Sequence, residues 1–547
     1  MILYLFIMAG IGLFFGWFVK DVKNYFKGGS TIPWFISAIS NFMGSLSTFV
    51  FIAYAGIAYQ DGIVGVTVLW CTFPPFLFAG FVVGKRWIRS RIITPVEYLE
   101  TRFNVYIRQL FSWIGLGMRF LDNMVRQYAI GIFLITATDL SFLEAIIISG
   151  VITTLFTILG GVWSVVVMDA IQFLILIFVS VLLVPLSLEA VGGLDSLVTR
   201  HPGHFEWFGG SKGQPFWLLT YYLMILFKYN GNWVFIQRFY SVKDEKATRK
   251  LGVMSALLLL IFPIIFLLPA IAAVDVLPGL QDPEQAYVAL AVKLLPAGLL
   301  GLMIAAMFSA TMSSLNSEFN VMSGVLTNDI YKRLINPNAS ESKLMLVARL
   351  NVLIVGAIVV WGATMMGSFG GAFEANKVLT GLFAIPLAIP LVLGLLFKQT
   401  NSTGAFLTVL TGIVLGFLLN TDPDVSWELA TAIEIIGCVA VFMLSGLLLK
   451  SGHSYKDRVA TFFQKIKTPL SPHEIKESDP VFTQALSNLF VVAIALSGLL
   501  FTVMSVLNIG GSSGKMGTWI GVGCLLLAAL LKLILKVVLP AKPKEHG

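Results

Sequence analysis

Charged residues are scarce in this chain of 547 residues: they make up 12% of it, whereas 57% is hydrophobic. Soluble domains carry about 25% charged residues. So little charge excludes a soluble enzyme and a disordered chain, and apolar runs long enough to span a bilayer recur from end to end. A closed barrel would need short alternating strands instead of long continuous runs. The composition therefore indicates a polytopic helical membrane protein.

Cysteine and histidine are equally rare, with three and five copies. Cys71, Cys438 and Cys524 lie far apart inside apolar runs, as small buried hydrophobic residues do, and their spacing fits neither a disulfide framework nor a metal site. The histidines fall in loops or in the tail. The first apolar run lacks a basic region before it and a small-residue cleavage site, which favours a retained helix over a signal peptide.

Apolar runs of about 20 residues, bounded by charged or turn residues, predict about fifteen transmembrane helices. They lie near residues 2–20, 32–59, 62–84, 106–137, 141–160, 164–188, 215–238, 249–274, 296–324, 345–368, 378–397, 403–420, 428–449, 481–508 and 517–536.

The formal net charge of +8 comes from basic clusters that this map places on one face, near residues 20–27, 85–91, 243–250, 332–333, 450–467 and 542–544. The connections on the other face are acidic or neutral. The positive-inside rule then predicts a cell-membrane protein, surrounded by lipid, with the N-terminus outside and the C-terminus in the cytoplasm. This distribution explains the basic charge without nucleic acid as a partner.

Two of the predicted helices are interrupted by glycine and polar residues at mid-depth. The sequence Gly-Ser-Leu-Ser-Thr occupies 44–48 in the second helix, and Asn-Gly-Asn occupies 230–232 in the seventh. Such interruptions are tolerated in a bilayer only where the freed backbone groups face protein or water. The two helices are five apart and run in opposite directions, which is typical of inverted repeats with a binding site between broken helices. For either break alone, close helix packing is the alternative.

The ninth predicted helix is rich in hydroxyl groups. Ser313 and Ser317 are four residues apart on one helical face, with Ser314 beside them. Hydroxyl and carbonyl oxygens suit an alkali cation that is held and then released. Serines in membrane helices also bond to their own backbone or to a neighbouring helix, and composition alone favours that role.

Ordered motifs run along most of the chain. They are Asn-Tyr-Phe-Lys-Gly-Gly at 24–29, Thr-Pro-Val-Glu-Tyr-Leu-Glu-Thr-Arg-Phe at 94–103, Gly-Gly-Val-Trp at 160–163, Gln-Arg at 237–238, Ser-Ser-Leu-Asn-Ser at 313–317, Asp-Ile-Tyr-Lys-Arg at 329–333 and Phe-Lys at 397–398. In these motifs the chain resembles the sodium/solute symporter family, which includes sodium/glucose and sodium/sialic acid symporters.

The resemblance implies an all-α leucine-transporter-type fold with a core of five plus five helices in inverted repeats. That core covers residues 31–400, with halves at 31–188 and 215–400. An extra helix and cytoplasmic loop precede it at 1–30, and four more helices follow at 401–547. The stretch 451–480 is expected to be a solvated cytoplasmic linker, and the outer connection 189–214 to be flexible or to carry a short lid helix.

The resemblance also implies sodium as the coupling ion, with one or two ions per cycle. The first site would use the carbonyls of Met43, Leu46 and Ala310 and the hydroxyls of Ser313 and Ser314. A second site, found in some members, would use Asp169, Ser313, Asn316 and Ser317. A structural role for Asp169, as a helix cap or as a partner of Arg238 or Arg333, is equally compatible with the sequence.

The substrate positions depart from those of sugar carriers. Positions that read hydroxyl groups in glucose symporters fall here on Ser45, Val50, Leu69–Trp70 and Leu259, and each unpaired buried hydroxyl of a sugar would cost about 1–3 kcal/mol. Phe51, Tyr229 and Trp233 are able to stack on a ring or to pack in the ordinary way. Asn232, in the second break, is a further candidate.

Two lysines stand at positions that the resemblance implies line the substrate site, Lys228 and Lys377. A lysine at mid-depth costs about 3 kcal/mol or more unless it is paired. Two of them slightly favour an organic anion, such as a sugar acid or a carboxylate, over a neutral sugar. The alternatives are a pair between Lys377 and Glu374 and snorkelling to the interface. Three charged residues one turn apart on the fourth helix are expected to pair with one another: Arg119, Asp122 and Arg126.

The predicted function is sodium-driven import of a small polar solute by alternating access. The alternatives are a neutral sugar symporter and a sensor that binds sodium and ligand without transport. The sequence contains no HExxH or GxSxG motif and no Ser/His/Asp set at membrane depth, so an enzyme is not expected. No obligate protein partner is indicated.

Overall fold

The computed structural model describes residues 25–26, 31–366, 372–449, 452–475 and parts of 488–538. The regular elements of these residues are all helical, as expected of apolar runs that must satisfy their own backbone hydrogen bonds in a bilayer. Within this part of the chain, eight helices are long and apolar enough to cross a membrane, and one bent pair would make a ninth. The predicted helix at 2–20 and most of that at 481–508 lie outside the described residues.

The helices are numbered in chain order. They are α1 (Trp34–Ser45), α2 (Ala55–Asp61), α3 (Val64–Ser90), α4 (Tyr98–Arg102), α5 (Val105–Ala137), α6 (Phe142–Ala190), α7 (Leu194–Arg200), α8 (Pro215–Asn230), α9 (Trp233–Ser241), α10 (Glu245–Val276), α11 (Ala286–Leu294), α12 (Ala297–Val325), α13 (Glu341–Ala363), α14 (Ala372–Leu379), α15 (Ile385–Leu393), α16 (Ser402–Thr421), α17 (Trp427–Leu448), α18 (His453–Lys467) and α19 (Ser512–Val538). A π-helical turn, Thr380–Ala384, joins α14 to α15.

Both predicted breaks are present. Helix α1 ends at Ser45, and the next residue, Leu46, is extended. A helix resumes at Val50 and continues into α2, with its axis bent by 57° relative to α1. Helix α8 ends at Asn230, and Asn232 caps α9 by accepting hydrogen bonds from two backbone N–H groups of its first turn. At Gly231, between the two helices, an added Cβ would lie 2.6 Å from the Cβ of Ala388. Glycine is therefore required for α15 to approach this break.

Helix α6 is continuous where the sequence predicts two helices, 141–160 and 164–188. Its 49 residues would form a straight rod about 73 Å long, more than twice the hydrocarbon thickness of a bilayer. The coil that a two-helix prediction places near 161–163 is absent from the described backbone, which stays helical through this stretch.

The two ends of α6 nevertheless lie on the same face of the molecule. At the start of α6, the ring of Phe142 lies 5.5 Å from the ring of Tyr128. Tyr128 in turn is close to Glu284. At the end of α6, the carbonyl of Val191 accepts a hydrogen bond from Arg200, which pairs with Asp275. Asp275 and Glu284 belong to the same end of α10 and the connection that follows it. The backbone of α6 must therefore bend back between its two ends, although no coil interrupts it.

Helix α12 lies at the centre of the core. It packs most extensively against α6, and also against α5, α13, α1 and α9. Its serine-rich turn is buried on every side. The fold thus brings the hydroxyl-bearing helix against both broken helices.

Two connections carry more structure than a solvated loop. The connection 189–214 contains α7, and its Trp207 stacks on Trp70 at 5.5 Å. The stretch 451–480 contains α18, which packs on the C-terminal end of α3 and on α4. The expectation of a solvated linker is wrong here, because α18 buries an apolar face at helical spacing: Val459, Phe462, Phe463 and Ile466.

Candidate sodium and solute site

The break in α1 is fastened directly to α12. The backbone N–H of Thr48 donates to the Thr311 hydroxyl (2.8 Å), and the Thr48 hydroxyl donates to the carbonyl of Met307 (3.1 Å). These contacts place the segment that follows the extended Leu46 against the turn of α12 that leads to Ser313. The two segments expected to form the first sodium site are therefore adjacent.

Within that predicted site, some oxygens already accept or donate local hydrogen bonds. The Met43 carbonyl accepts from the backbone N–H of Leu46 (3.1 Å), and the Ser314 hydroxyl donates to the carbonyl of Thr311 (2.9 Å). The second contact is the local backbone bond considered as the alternative role for these serines. A carbonyl or hydroxyl oxygen keeps a free lone pair in such a bond, so both groups remain able to ligate a cation.

Asp169 lies at the centre of a cluster made by four helices. One of its carboxylate oxygens accepts from the Ser313 hydroxyl of α12 at 2.6 Å, and the other accepts from the Ser40 hydroxyl of α1. Ser40 in turn accepts from Nε of Arg238 on α9 at 2.8 Å. A second guanidinium nitrogen of Arg238 donates to Ser317 at 2.9 Å. All five side chains are 0 or 1% exposed, so this polar cluster is sealed inside the protein.

This cluster contains three of the four residues expected for the second sodium site. The fourth, Asn316, accepts through its amide oxygen from the Thr157 hydroxyl at 2.8 Å. Arg333 is not a partner of Asp169, because it pairs with Glu100 of α4 at 2.6 Å. Arg238 is connected to Asp169 through hydrogen bonds that the Ser40 hydroxyl makes to both.

A small cavity of about 30 Å³ lies between α5, the α8–α9 break and α15. Two of the predicted substrate residues, Lys228 and Asn232, line it. Its other polar walls come from Arg119 and Asp122 of α5. Aromatic and aliphatic side chains complete the lining, including Phe111, Trp233, Leu387 and Leu391.

Lys228 is held by a polar network in this wall. Its ammonium group donates to the Asn376 amide oxygen (2.9 Å) and to the Thr380 hydroxyl (2.8 Å), and lies 3.8 Å from Asp122. Asn376 also donates to Asp122 (2.8 Å), whose other oxygen pairs with Arg126 at 3.0 Å. Sequence reasoning missed Asn376 and Thr380, although Asn376 directly precedes the lysine that it singled out.

Arg119 pairs across the helix interface, whereas the sequence predicted a partner on its own helix. It forms an ion pair with Glu318 of α12 at 2.7 Å, and its guanidinium lies 4.4 Å from the ring centre of Trp233. Asn232 donates to the same glutamate at 3.3 Å. Glu318, an acid beside the serine motif, is thus the counter-ion of Arg119, and only Asp122 and Arg126 pair within α5.

Three further candidates lie in ordinary packing away from the cavity. Val50 is buried in the hydrophobic core, and the Phe51 ring lies 5.1 Å from each of two other aromatic rings. Trp70 donates to the carbonyl of Leu260 at 2.8 Å and stacks on Trp207 of the 189–214 connection.

The last three candidates have local partners. Lys377 lies 5.0 Å from the ring centre of Trp427 and not among the cavity residues, and the side chain of Glu374 lies outside the described residues. Ser45 donates to the carbonyl of Asn41 at 2.8 Å, close to Tyr229. Of the two predicted lysines, the structure therefore places Lys228 at the α8–α9 break and Lys377 away from it.

Comparison with known proteins agrees with this architecture. The family model described as the sodium:solute symporter family matches residues 25–412. A sodium/glucose cotransporter from Vibrio parahaemolyticus is 27% identical over 462 residues, which is 77% of this chain and 84% of that protein. The sodium/sialic acid symporter NanT from Aliivibrio fischeri is 25% identical over 475 residues, which is 82% of this chain and 92% of that protein.

Solved structures show the same fold. The substrate-bound outward-open structure of a sodium-coupled sialic acid symporter superposes with a TM-score of 0.74 at 22% identity, covering 82% of this chain and 96% of that one. A nucleobase-cation-symport-1 transporter gives a TM-score of 0.54 at 14% identity, with 80% of this chain and 98% of that one covered. The fold is thus of the leucine-transporter type. The chain belongs to the sodium:solute symporter family, and it is a multi-pass membrane transporter that couples a small solute to sodium, not an enzyme.

Proposed function

We propose that this chain imports a small organic anion, such as a sugar acid or another carboxylate, together with sodium. The observation that carries the proposal is the charge around the cavity. Arg119, Lys228 and Asp122 line it, and their ion-pair partners Glu318 and Arg126 lie behind them. These three cations and two carboxylates leave one formal positive charge. An unbalanced cation is costly at membrane depth, and a carboxylate of the solute would balance it.

We assign sodium to oxygens at the break in α1 and on the serine-rich turn of α12. The first ion would be held by the carbonyls of Met43, Leu46 and Ala310 with the hydroxyls of Ser313 and Ser314. Sodium is a hard cation that takes oxygen ligands, and the contact of Thr48 with α12 supports a site at this place because it joins the two ligand-bearing segments.

A second ion would be held by Asp169, Ser313, Asn316 and Ser317. Ser313 is able to donate its proton to Asp169 and still offer lone pairs to a cation, so the hydrogen bond of 2.6 Å is compatible with ligation. Asp169, Ser40 and Ser313 come from three different helices, so an ion bound among them would fix α6, α1 and α12 relative to one another.

These sites give alternating access a driving force. Sodium bound between the broken helix and α12 would stabilise the outward-facing arrangement in which the solute cavity is complete. One positive charge that moves inward contributes about 2.3 kcal/mol per 100 mV. With a monovalent anion, one sodium would make the cycle electroneutral, and a second sodium at Asp169 would restore its dependence on voltage.

A neutral sugar is the second candidate. The relative from Vibrio parahaemolyticus, a sodium/glucose cotransporter, favours it. Val50 and Leu259 oppose it, because both are buried apolar residues where the resemblance implies groups that bind hydroxyls.

A ligand screen on the purified protein separates the two. Ligand at 100 times its Kd stabilises the folded form by about 2.7 kcal/mol. We expect sugar acids or carboxylates to raise the melting temperature in sodium but not in potassium, and the same compounds to enter proteoliposomes down a sodium gradient. Stabilisation by neutral hexoses or inositols alone would contradict the anion, and stabilisation without uptake would favour a sensor.

Variants then test the cavity itself. Lys228→Met is expected to weaken binding of the anion at least tenfold, because it removes the excess cation. Lys377→Met is the matched control, since that lysine lies against Trp427 outside the cavity. Equal loss in both variants would contradict the assignment of the cavity as the solute site.

A further inference from the structure

Glu434 is buried in the membrane-spanning helix α17, two turns from its start, and has no visible role in the sodium or solute site. Its side chain is 0% exposed, and among the residues that the structure describes neither carboxyl oxygen has a hydrogen-bond partner. Four other buried carboxylates differ from it. Asp169, Asp122 and Glu318 each accept hydrogen bonds or form ion pairs through both oxygens, and Asp329 does so through one, to Arg108. A carboxyl group in this setting requires an explanation.

The carboxyl group lies against bare backbone on two sides. A Cβ added at Gly381, in the π turn Thr380–Ala384, would be 3.5 Å from one carboxyl oxygen. A Cβ added at Gly416 of α16 would be 3.6 Å from the carboxyl carbon. The group is therefore enclosed where α16, α17 and the π turn meet.

The titratable groups on α17 and on the neighbouring helices have other partners and do not neutralise a negative charge there. On α17 itself, the Cys438 thiol one turn away donates to a backbone carbonyl of α16. From α8, the hydroxyl of Tyr221 bonds to Tyr54, and the ammonium group of Lys228 binds Asn376 and Thr380. From α14, Lys377 lies over Trp427. In the described part of the chain, no cationic nitrogen lies within 4.0 Å of the Glu434 carboxyl group.

An ionised carboxylate in such a place would cost several kcal/mol, even after relaxation of the protein. A neutral carboxylic acid costs less, because only a dipole loses its water. The geometry therefore favours a bound proton for as long as these three elements stay packed.

We propose that Glu434 is a proton-binding site whose occupancy is linked to the position of the π turn. Release of the proton to water leaves a carboxylate, which needs solvent, so α16, α17 and the turn must separate to admit it. The same turn begins with Thr380, which accepts a hydrogen bond from Lys228 in the wall of the solute cavity. Movement of the turn when the cavity fills or empties would thus change the access of water to Glu434.

Infrared spectroscopy of the protein in membranes tests the bound proton directly. We expect the carbonyl stretch of a protonated carboxylic acid at neutral pH, and its loss in Glu434→Gln. Glu428→Gln is the matched control on the same helix, and it should keep the band. Absence of the band from the wild type, or its persistence in Glu434→Gln, would overturn the proposal.

The pH dependence of stability gives a second test. An unfolded glutamate ionises near pH 4.3, so above that pH the folded wild type would hold a proton that the unfolded chain has lost. Its unfolding constant should then rise by up to about tenfold per pH unit, and its melting temperature should fall with pH more steeply than that of Glu434→Gln. Equal slopes would overturn the proposal.

If Glu434→Gln does not fold, a measurement on the wild type alone decides. Dicyclohexylcarbodiimide modifies protonated carboxyl groups in apolar surroundings, and mass spectrometry locates the adduct. Modification at Glu434, faster at lower pH, would support the proton site. Modification elsewhere with Glu434 untouched would overturn it.

Discussion

Two buried charge clusters lie on neighbouring faces of α12 and differ in how their charges are joined. Ser317 faces the first cluster, where hydroxyl groups lie between Asp169 and Arg238. Glu318, the next residue, faces the second cluster and pairs directly with Arg119 at 2.7 Å. Consecutive residues of a helix point about 100° apart, so one helix serves both clusters.

The difference in linkage predicts a difference in function. A hydroxyl group is able to rotate and exchange one partner for another, so the first cluster can admit a cation without losing its bonds all at once. A direct buried ion pair is costly to break, because removal of one partner leaves the other charge unpaired. The first cluster is therefore suited to a transient ion, and the second to holding α5 and α12 around the solute cavity.

The largest expected effect comes from breaking the direct pair. Glu318→Met should destabilise the protein by about 3–5 kcal/mol, because it leaves the Arg119 guanidinium buried without its counter-ion. The double variant Arg119→Met/Glu318→Met should recover most of that loss. Denaturation in detergent of both single variants and of the double variant measures the coupling, and additive losses would show that the pair is not a unit.

Asp169→Asn should change sodium dependence more than stability, because the amide keeps the shape and loses the charge. A hydrogen bond to a charged group contributes about 1.5–3 kcal/mol, so the sodium concentration for half-maximal uptake should rise about 10- to 100-fold. Uptake measured against sodium concentration in proteoliposomes checks this. An unchanged sodium dependence would mean that the hydroxyl-bridged cluster is purely structural.

Two adjacent serines sharpen the comparison within the first cluster. Ser313 donates to Asp169, whereas Ser314 donates to its own helix backbone. Ser313→Ala should therefore raise the sodium requirement about tenfold, since one charged hydrogen bond contributes about 1.5 kcal/mol or more. Ser314→Ala is the matched control with a smaller effect. A reversed order would place the ion nearer to the break in α1 than to Asp169.

The sequence predicts the two breaks because glycine and polar residues stand out inside apolar runs, and it predicts the serine face because the helical period is local. It does not predict the meeting of Asp169 with Ser313, which are 144 residues apart; only the family resemblance suggested it. Lys377 was assigned to the solute site by counting along the chain. Its neighbour Asn376 reaches Lys228 instead, because adjacent residues on a helix face different directions.

The docking of α18 was missed for another reason. Its apolar residues recur at helical spacing, and that pattern is visible in the sequence. Basic charge dominates the composition of the stretch and suggested solvation. Local periodicity was the better guide here than overall composition.

The smallest expected effect concerns a direct ion pair that is exposed instead of buried. Arg91, which directly follows α3, makes two hydrogen bonds to Glu474, one of them at 2.8 Å, and the two side chains are 27% and 36% exposed. Exposed pairs contribute about 0–1 kcal/mol, so Glu474→Gln should lower stability by no more than that, against the control Asp457→Asn on α18.

The pH dependence of this pair identifies its contribution. The hydrogen bonds from Arg91, together with the backbone N–H of Ser471, lower the pKa of Glu474 to about 2. Because the pKa is depressed in the folded state, the stabilisation is fully present above the unfolded value of about 4.3 and is lost as pH falls towards 2. The melting temperatures of the wild type and Glu474→Gln should therefore differ at neutral pH and converge near pH 2. If the difference in melting temperature persists in acid, the effect comes from packing of the 468–475 segment and not from the ion pair. Direct pairing would then stabilise the protein only where the pair is buried, as it is between Arg119 and Glu318.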